Sequence, residues 1–279
     1  MALKSILVPA TGPEKLLNCF DVALMLQKQF HAAITTIHAK PDPMTAIPYF
    51  GEGVGADIIH DLSEKAEQEN NKFAEETKAW FSHYFSSRGL DDSQWRWVEK
   101  LGFYSEVLGA SARVADLSIV PQPTDHAPDD VNSFLVEALY QSGKAALMVP
   151  TGYHAQSLNN IMIAWNGTME CARAVTAALP LLARAQSVKV VSVEEVGGHR
   201  PDLEEIENYL KDHDVDAHCQ RVHLSEDDVA RQIIHECEQA SANMLVMGAY
   251  SHNRLKEYIL GGVTRSLIND ITIPVLFYH

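Results

Sequence analysis

Residues 244–264, MLVMGAYSHNRLKEYILGGVT, place an apolar run before Gly248 and a glycine pair, Gly261 and Gly262, at the start of a predicted helix. Such a run delivers the backbone to the edge of a sheet. The glycines then permit close approach of an anion, because a residue without Cβ tolerates positive φ and leaves the main-chain N–H groups open. A helix opening at Gly262 adds unpaired N–H donors at its first turn. The layout is that of a phosphate cradle. It is not a Walker loop, which needs Lys after the last glycine, where Val263 and Thr264 stand instead.

The spacing Gly248, Ser251, Gly261 resembles the signature of the universal stress protein family, G-x2-G-x9-G-S/T. Ser251 stands for the family's second glycine and Gly262 for its first hydroxyl, while Thr264 falls where a further Ser or Thr often lies. MGAYSHNRL, ILGGVTRSLI and IPVLFYH are similar to the family's last two strands and last helix.

Composition is compatible with this resemblance. With 279 residues, 46% hydrophobic and 21% charged, the chain has material for one large or two modest domains. Its formal charge of −15 and lack of a basic stripe argue against a nucleic-acid partner. MALKSILVPATG meets Pro9 before a secretory apolar segment develops, and no apolar run approaches the ~20 residues of a spanning helix. A soluble, cytoplasmic protein without membrane partners is expected. Cys19, Cys171, Cys219 and Cys237 are scattered, as reduced thiols would be. Among the 13 histidines, His213, His218 and His223 near Cys219 have no metal-ligand spacing, so no metal site is predicted.

The chain starts twice. LKSILVPATG at 3–12 and NNIMIAWNG at 159–167 each place an apolar strand before a small or polar turn and a long helical pattern. The offset is 155 at Gly12 and Gly167, 154 at Ile37 and Val191, and 128 at Leu117 and Leu245, so the first copy holds about 26 extra residues. These fall in the Pro- and Gly-rich segment 40–60. Two domains follow, 1–152 and 153–279. Strands alternate with helices in each copy, which favours a parallel sheet covered on both faces.

Local signals add detail. Asp61 with Glu64 reads as a cap opening a helix over 61–87, whose Leu62, Ala66, Phe73, Thr77, Trp80, Phe81 and Tyr84 form a core-facing stripe. Ser225 with Glu226, Asp227 and Asp228 reads as another helix start, opening at 226. Trp95 and Trp97 share one face of a strand.

The resemblance implies an α/β fold of two tandem universal-stress-type domains, Rossmann-like and related to the adenine nucleotide alpha hydrolases. Each would hold a five-stranded parallel sheet of order 3-2-1-4-5 with helices on both faces. It implies ATP or another adenine nucleotide as ligand, with no metal beyond a nucleotide-bound Mg. In this order the chain reverses between the first and fourth strands, where ligands of open sheets bind. For the second copy the implied contacts are Asn166 and Gly167, Val193 near the base, and Gly248, Ser251, Gly261, Gly262, Val263 and Thr264 around the phosphates. Asn166 stands where the family commonly has Asp, so it keeps hydrogen bonding without charge. The same glycines also admit a purely structural reading, in which Gly248 ends a strand and Gly261-Gly262 lets the last helix approach the sheet.

The first copy has VPQPTDHAPDDVNSF after its fourth strand, with three prolines, three aspartates and no glycine. Prolines remove donors and aspartates repel phosphate, so this half is not expected to bind a nucleotide in the same way. GEGVG at 51–55 lies far beyond its strand and reads as a loop or lid. KAALMVP and IPVLFYH are apolar edge strands that need a partner, and in the family such strands pair across a pseudo-twofold, making one chain imitate a dimer. A homodimer of the whole chain and further protein partners are left open. No nucleophile or acid pair stands at a motif. A regulatory or protective nucleotide-binding protein is thus expected first, a slow ATP hydrolase second, and a ligand-free interaction module third.

Overall fold

The computed structural model describes residues 2–46, 56–124, 126–194, 200–225, 228–249 and 262–279. In the first half, β1 (Ser5–Pro9), α1 (Leu17–Phe30), β2 (Ala33–Lys40), α2 (Ala56–Ser86), β3 (Trp95–Leu101), α3 (Tyr104–Ala112), β4 (Leu117–Pro121), α4 (Asp129–Tyr140) and β5 (Ala145–Val149) alternate in the predicted order. The second half repeats it: β6 (Asn160–Ala164), α5 (Met169–Leu182), β7 (Ser187–Glu194), α6 (Leu203–Asp212), β8 (Ala217–His223), α7 (Val229–Gln239), β9 (Met244–Gly248), α8 (Gly262–Asp270) and β10 (Val275–Tyr278).

The strands run β3-β2-β1-β4-β5-β10-β9-β6-β7-β8 in one ten-stranded sheet. Each half has the order 3-2-1-4-5 and is parallel within itself. The halves join through one antiparallel pair, β5 with β10, centred on Leu147 and Leu276. Two apolar edges thereby satisfy each other's main-chain groups. A related tie recurs on both sides of this centre: Asn18 Nδ2 donates to Pro150 O at 2.7 Å, and Arg173 Nη1 approaches His279 O at 3.5 Å. Gln122 adds a cross-half contact, its amide nitrogen donating to Ile268 O of α8 while its oxygen accepts from Thr151 N.

Both faces of the sheet are covered. One layer holds α1, part of α2, α5 and α6 around Phe20, Phe81, Phe85 and Leu210. The other holds α3, α4, α7 and α8 around Phe134, Leu139, Ile233 and Leu267. Strands buried on both sides explain the near-continuous apolar runs of β4, β5 and β9. The predicted stripe on α2 is core only toward the helix's end: Thr77, Phe81 and Tyr84 are buried, with Phe81 4.3 Å from Phe20 between ring centroids. Leu62, Ala66 and Trp80 are half-buried and Phe73 is exposed, because the earlier turns reach past the sheet.

Two predicted helix starts are corrected. Residues 56–60 are helical, so Asp61 lies within α2 rather than capping it; a carboxylate is tolerated on the outward face of a long helix. At α7 the cap is Asp228, which accepts from Ala230 N, whereas Ser225 N and Oγ both donate to Gln232 Oε1. Glu226 and Asp227 lie outside the described residues, as do Ser251, Gly261 and the GEGVG run.

Candidate functional site

The switch point of the second half lies above β6, which pairs with β7 on one side and β9 on the other. Past Ala164 the chain leaves the sheet through Trp165, Asn166 and Gly167 and enters α5. The left-handed Gly167, with φ of 73°, makes that turn without a Cβ penalty. Asn166 Oδ1 accepts from Thr168 N at 3.2 Å and Thr168 Oγ1 at 2.9 Å, and Thr168 caps the helix by accepting from Cys171 N. The carbonyl of Asn166 is therefore engaged in the turn. The residue itself is exposed.

Val193 presents its main chain to the same place. Trp165 N donates to Val191 O, and Leu224 N to Glu194 O. Main-chain groups alternate sides along a strand, so those of Val193 face the β6 side, where β6 has already ended. A donor and an acceptor two residues beyond the ladder thus edge the end of the sheet.

Gly248 has a different reason to be glycine. A Cβ there would lie 2.6 Å from Cys171 N and 2.8 Å from Glu170 C, inside the first turn of α5. The end of β9 and the helix meet backbone to backbone, which is the structural reading of this glycine. Cys171 Sγ donates to Ala164 O at 3.1 Å, and burial pushes its thiol up to about 11, so it is a packed group rather than a nucleophile.

At the first turn of α8, Thr264 is buried and Val263 exposed. The structure thus gathers Asn166, Gly167, Val193 and Gly248 around the carboxyl ends of β6, β7 and β9; Gly262, Val263 and Thr264 belong to the first turn of α8, which follows β9 in the chain. Ser251 and Gly261 are the two predicted site residues outside the described set.

The first half fills the corresponding place. Ala10 O, at the end of β1, accepts from the Tyr104 hydroxyl and lies 2.8 Å from His38 Nδ1. His38 stacks on Trp97 with centroids 5.4 Å apart, and Phe73 closes on Gly12, where a Cβ would stand 3.0 Å from its ring. Desolvation lowers the His38 pKa, the main-chain carbonyl of Ala10 opposing it. By register His38 corresponds to Ser192. An aromatic plug therefore stands in one half and a small hydroxyl in the other.

Sequence reading missed this plug, although an alternating Thr36, His38 and Trp95, Trp97 pattern on neighbouring strands carried part of the signal. It also missed Glu194. This buried carboxylate ends β7 with Arg221 Nε at 3.5 Å, Arg200 Nε at 3.6 Å and His223 Nδ1 at 3.5 Å, on the face opposite Val193. Two of its partners, Arg221 and His223, come from the neighbouring strand β8, so no local spacing announces the cluster.

Comparison with known proteins places these features in a family. Residues 157–279 match the Universal stress protein family. No curated protein matches the chain in sequence. Among solved structures, a universal stress protein from Archaeoglobus fulgidus DSM 4304 superposes with a TM-score of 0.66 at 16% identity, covering 99% of this chain and 96% of that one. A functionally unknown protein from Pseudomonas aeruginosa PAO1 gives 0.58 at 12% identity, covering 99% and 92%. The carboxyl-terminal half of this chain belongs to the universal stress protein family, and the fold seen in such proteins extends across both halves.

Proposed function

We propose that the protein binds an adenine nucleotide in its carboxyl-terminal half, 153–279, and acts as a cytoplasmic regulatory or protective protein of the universal stress class. The amino-terminal half, 1–152, serves as its fixed partner in an intramolecular pseudo-dimer. The observation that carries the reading is the pair of Val193 main-chain groups facing the top of β6, beside the exposed residue Asn166. A base edge would meet Val193, and the ribose Asn166. Phosphates would meet Ser251, Gly261 and the first turn of α8, where Gly262 and Val263 offer N–H groups and Thr264 a hydroxyl. Gly248 serves this site indirectly, by letting β9 reach α5. Any Mg would arrive with the nucleotide. No membrane role is invoked, and no helix among the described residues is long and apolar enough to cross a bilayer.

Calorimetric titration with ATP and AMP tests the reading, together with mass spectrometry of small molecules released on denaturing the purified protein. Saturable binding of one nucleotide per chain is expected, weakened at least about tenfold by Gly261→Asp, which sets a carboxylate against phosphate. An unchanged unfolding midpoint would show that the variant is folded. Absence of binding, or equal binding by Gly261→Asp, would refute the site. Phosphate release above the buffer rate and dependent on Thr264 would favour the slow hydrolase instead.

A further inference from the structure

Between α5 and the amino-terminal ends of β4 and β5 lies a cavity of about 360 Å3, shared by the two halves. Its floor is Leu3, Leu117, Ala145 and Leu276, all buried, and its wall is the α5 face bearing Ala177 and Leu181. Pro180 lines the same wall. It sits inside a helix, where proline has no N–H to return to the carbonyl four residues earlier, and such a position is costly for the fold alone.

The charge at the rim is opposite to that of the chain. Against 37 acidic and 22 basic residues overall, the cavity is lined by Arg173 and Lys144 and by one carboxylate, Asp116. That carboxylate is turned to the main chain, Oδ2 accepting from Lys4 N at 2.8 Å and Ser5 N at 2.9 Å. Among the described residues Arg173 makes a long contact, 3.5 Å, to His279 O, and the Tyr278 hydroxyl donates to Gly143 O. Two cations over an apolar floor suit an anionic head joined to an apolar body.

We propose that this inter-half cavity binds a small amphipathic carboxylate, its head on Arg173 and Lys144 and its chain, on the order of ten carbons for a cavity of this size, over Leu117, Ala145 and Leu276. The volume lies at the lower end of the range for ligand pockets. Because the walls come from both halves, an occupant would clasp them across the β5–β10 junction. This site is separate from the proposed nucleotide contacts and does not depend on them.

Decanoate and decyltrimethylammonium, matched in tail and opposite in head charge, are the probes, titrated calorimetrically into the full chain. Decanoate should bind once per chain and at least about tenfold more tightly than the cation. The double variant Lys144→Gln, Arg173→Gln should lose about tenfold or more for decanoate, and Ala177→Phe, which fills the cavity, should abolish binding with ATP titration as the control for the other site. Should Ala177→Phe fail to fold, the charge variant decides alone. Equal affinity for both heads, no saturable decanoate binding, or an unchanged affinity in the charge variant would overturn the proposal.

Discussion

The carboxyl ends of β1 and β6 are the same place in two copies of one topology, and they are finished differently. At β1, Tyr104 and His38 both converge on Ala10 O, and Phe73 from α2 covers Gly12. At β6, the chain turns through Asn166 and Gly167, Ser192 replaces the imidazole, and the Val193 main chain is left facing the top of that strand. The contrast shows one topological position finished in two ways: large side chains complete the packing in one half, while the other half leaves main-chain groups facing the end of the sheet.

The largest expected effect that bears on this contrast is at the aromatic side. Phe81 is fully buried against Phe20 and Phe85, and Phe81→Ala should cost about 4 kcal/mol in a denaturant-melt midpoint. The first half would lose cohesion, and nucleotide affinity in the second half should change little. If it falls in parallel, the halves are more tightly coupled than one strand pair suggests.

Next comes Gly248→Ala, at the end of β9 in the other half. The added methyl meets main-chain atoms of α5 rather than a flexible side chain, so about 3 kcal/mol of destabilisation is expected from overpacking. Denaturant melts with and without ATP check it. A variant as stable as the parent would mean that the close approach of β9 to α5 does not require glycine.

Gln122→Leu tests the junction itself. Removing the amide leaves Ile268 O without that partner in a buried setting and Thr151 N without it in a part-buried one, for a loss of about 2 kcal/mol. Hydrogen exchange should locate the loosening at the end of α8. Exchange confined to the first half would contradict the proposed role of Gln122 as a cross-half clamp.

The smallest effect is pH dependence. Burial lowers the folded-state pKa of His38 below the ordinary imidazole value of about 6.5. Between these two values the unfolded chain binds a proton that the folded chain does not, so stability is complete above about pH 6.5 and falls on acidification through that window. His38→Gln should flatten this part of a stability–pH curve. An unaltered slope would place the titration elsewhere.

Much of this was legible in the sequence because it is periodic and local. Apolar runs marked the ten described strands, and the likeness of LKSILVPATG to NNIMIAWNG pointed to the strand order that both halves share. Helix starts were less legible at α2 and α7, because several acidic residues there could each cap, and the choice among them depends on where the preceding strand releases the chain. The dual reading of Gly248 was equally beyond sequence: a glycine spared for a phosphate and one spared for a helix look alike until the distance to Cys171 is known.

By itself, then, the sequence determined two α/β units with parallel sheets, their strand content and the family of the second, since hydrophobic period and glycine spacing act over a few residues. The resemblance implied that the last strands of the two units pair; only the tertiary structure decided the antiparallel register centred on Leu147 and Leu276, that Tyr104 and His38 plug the first unit, and that a two-walled cavity with Arg173 and Lys144 forms between the units. Those features join residues far apart in the chain, and contacts of that kind are set by how the layers stack rather than by any local preference of the residues that make them.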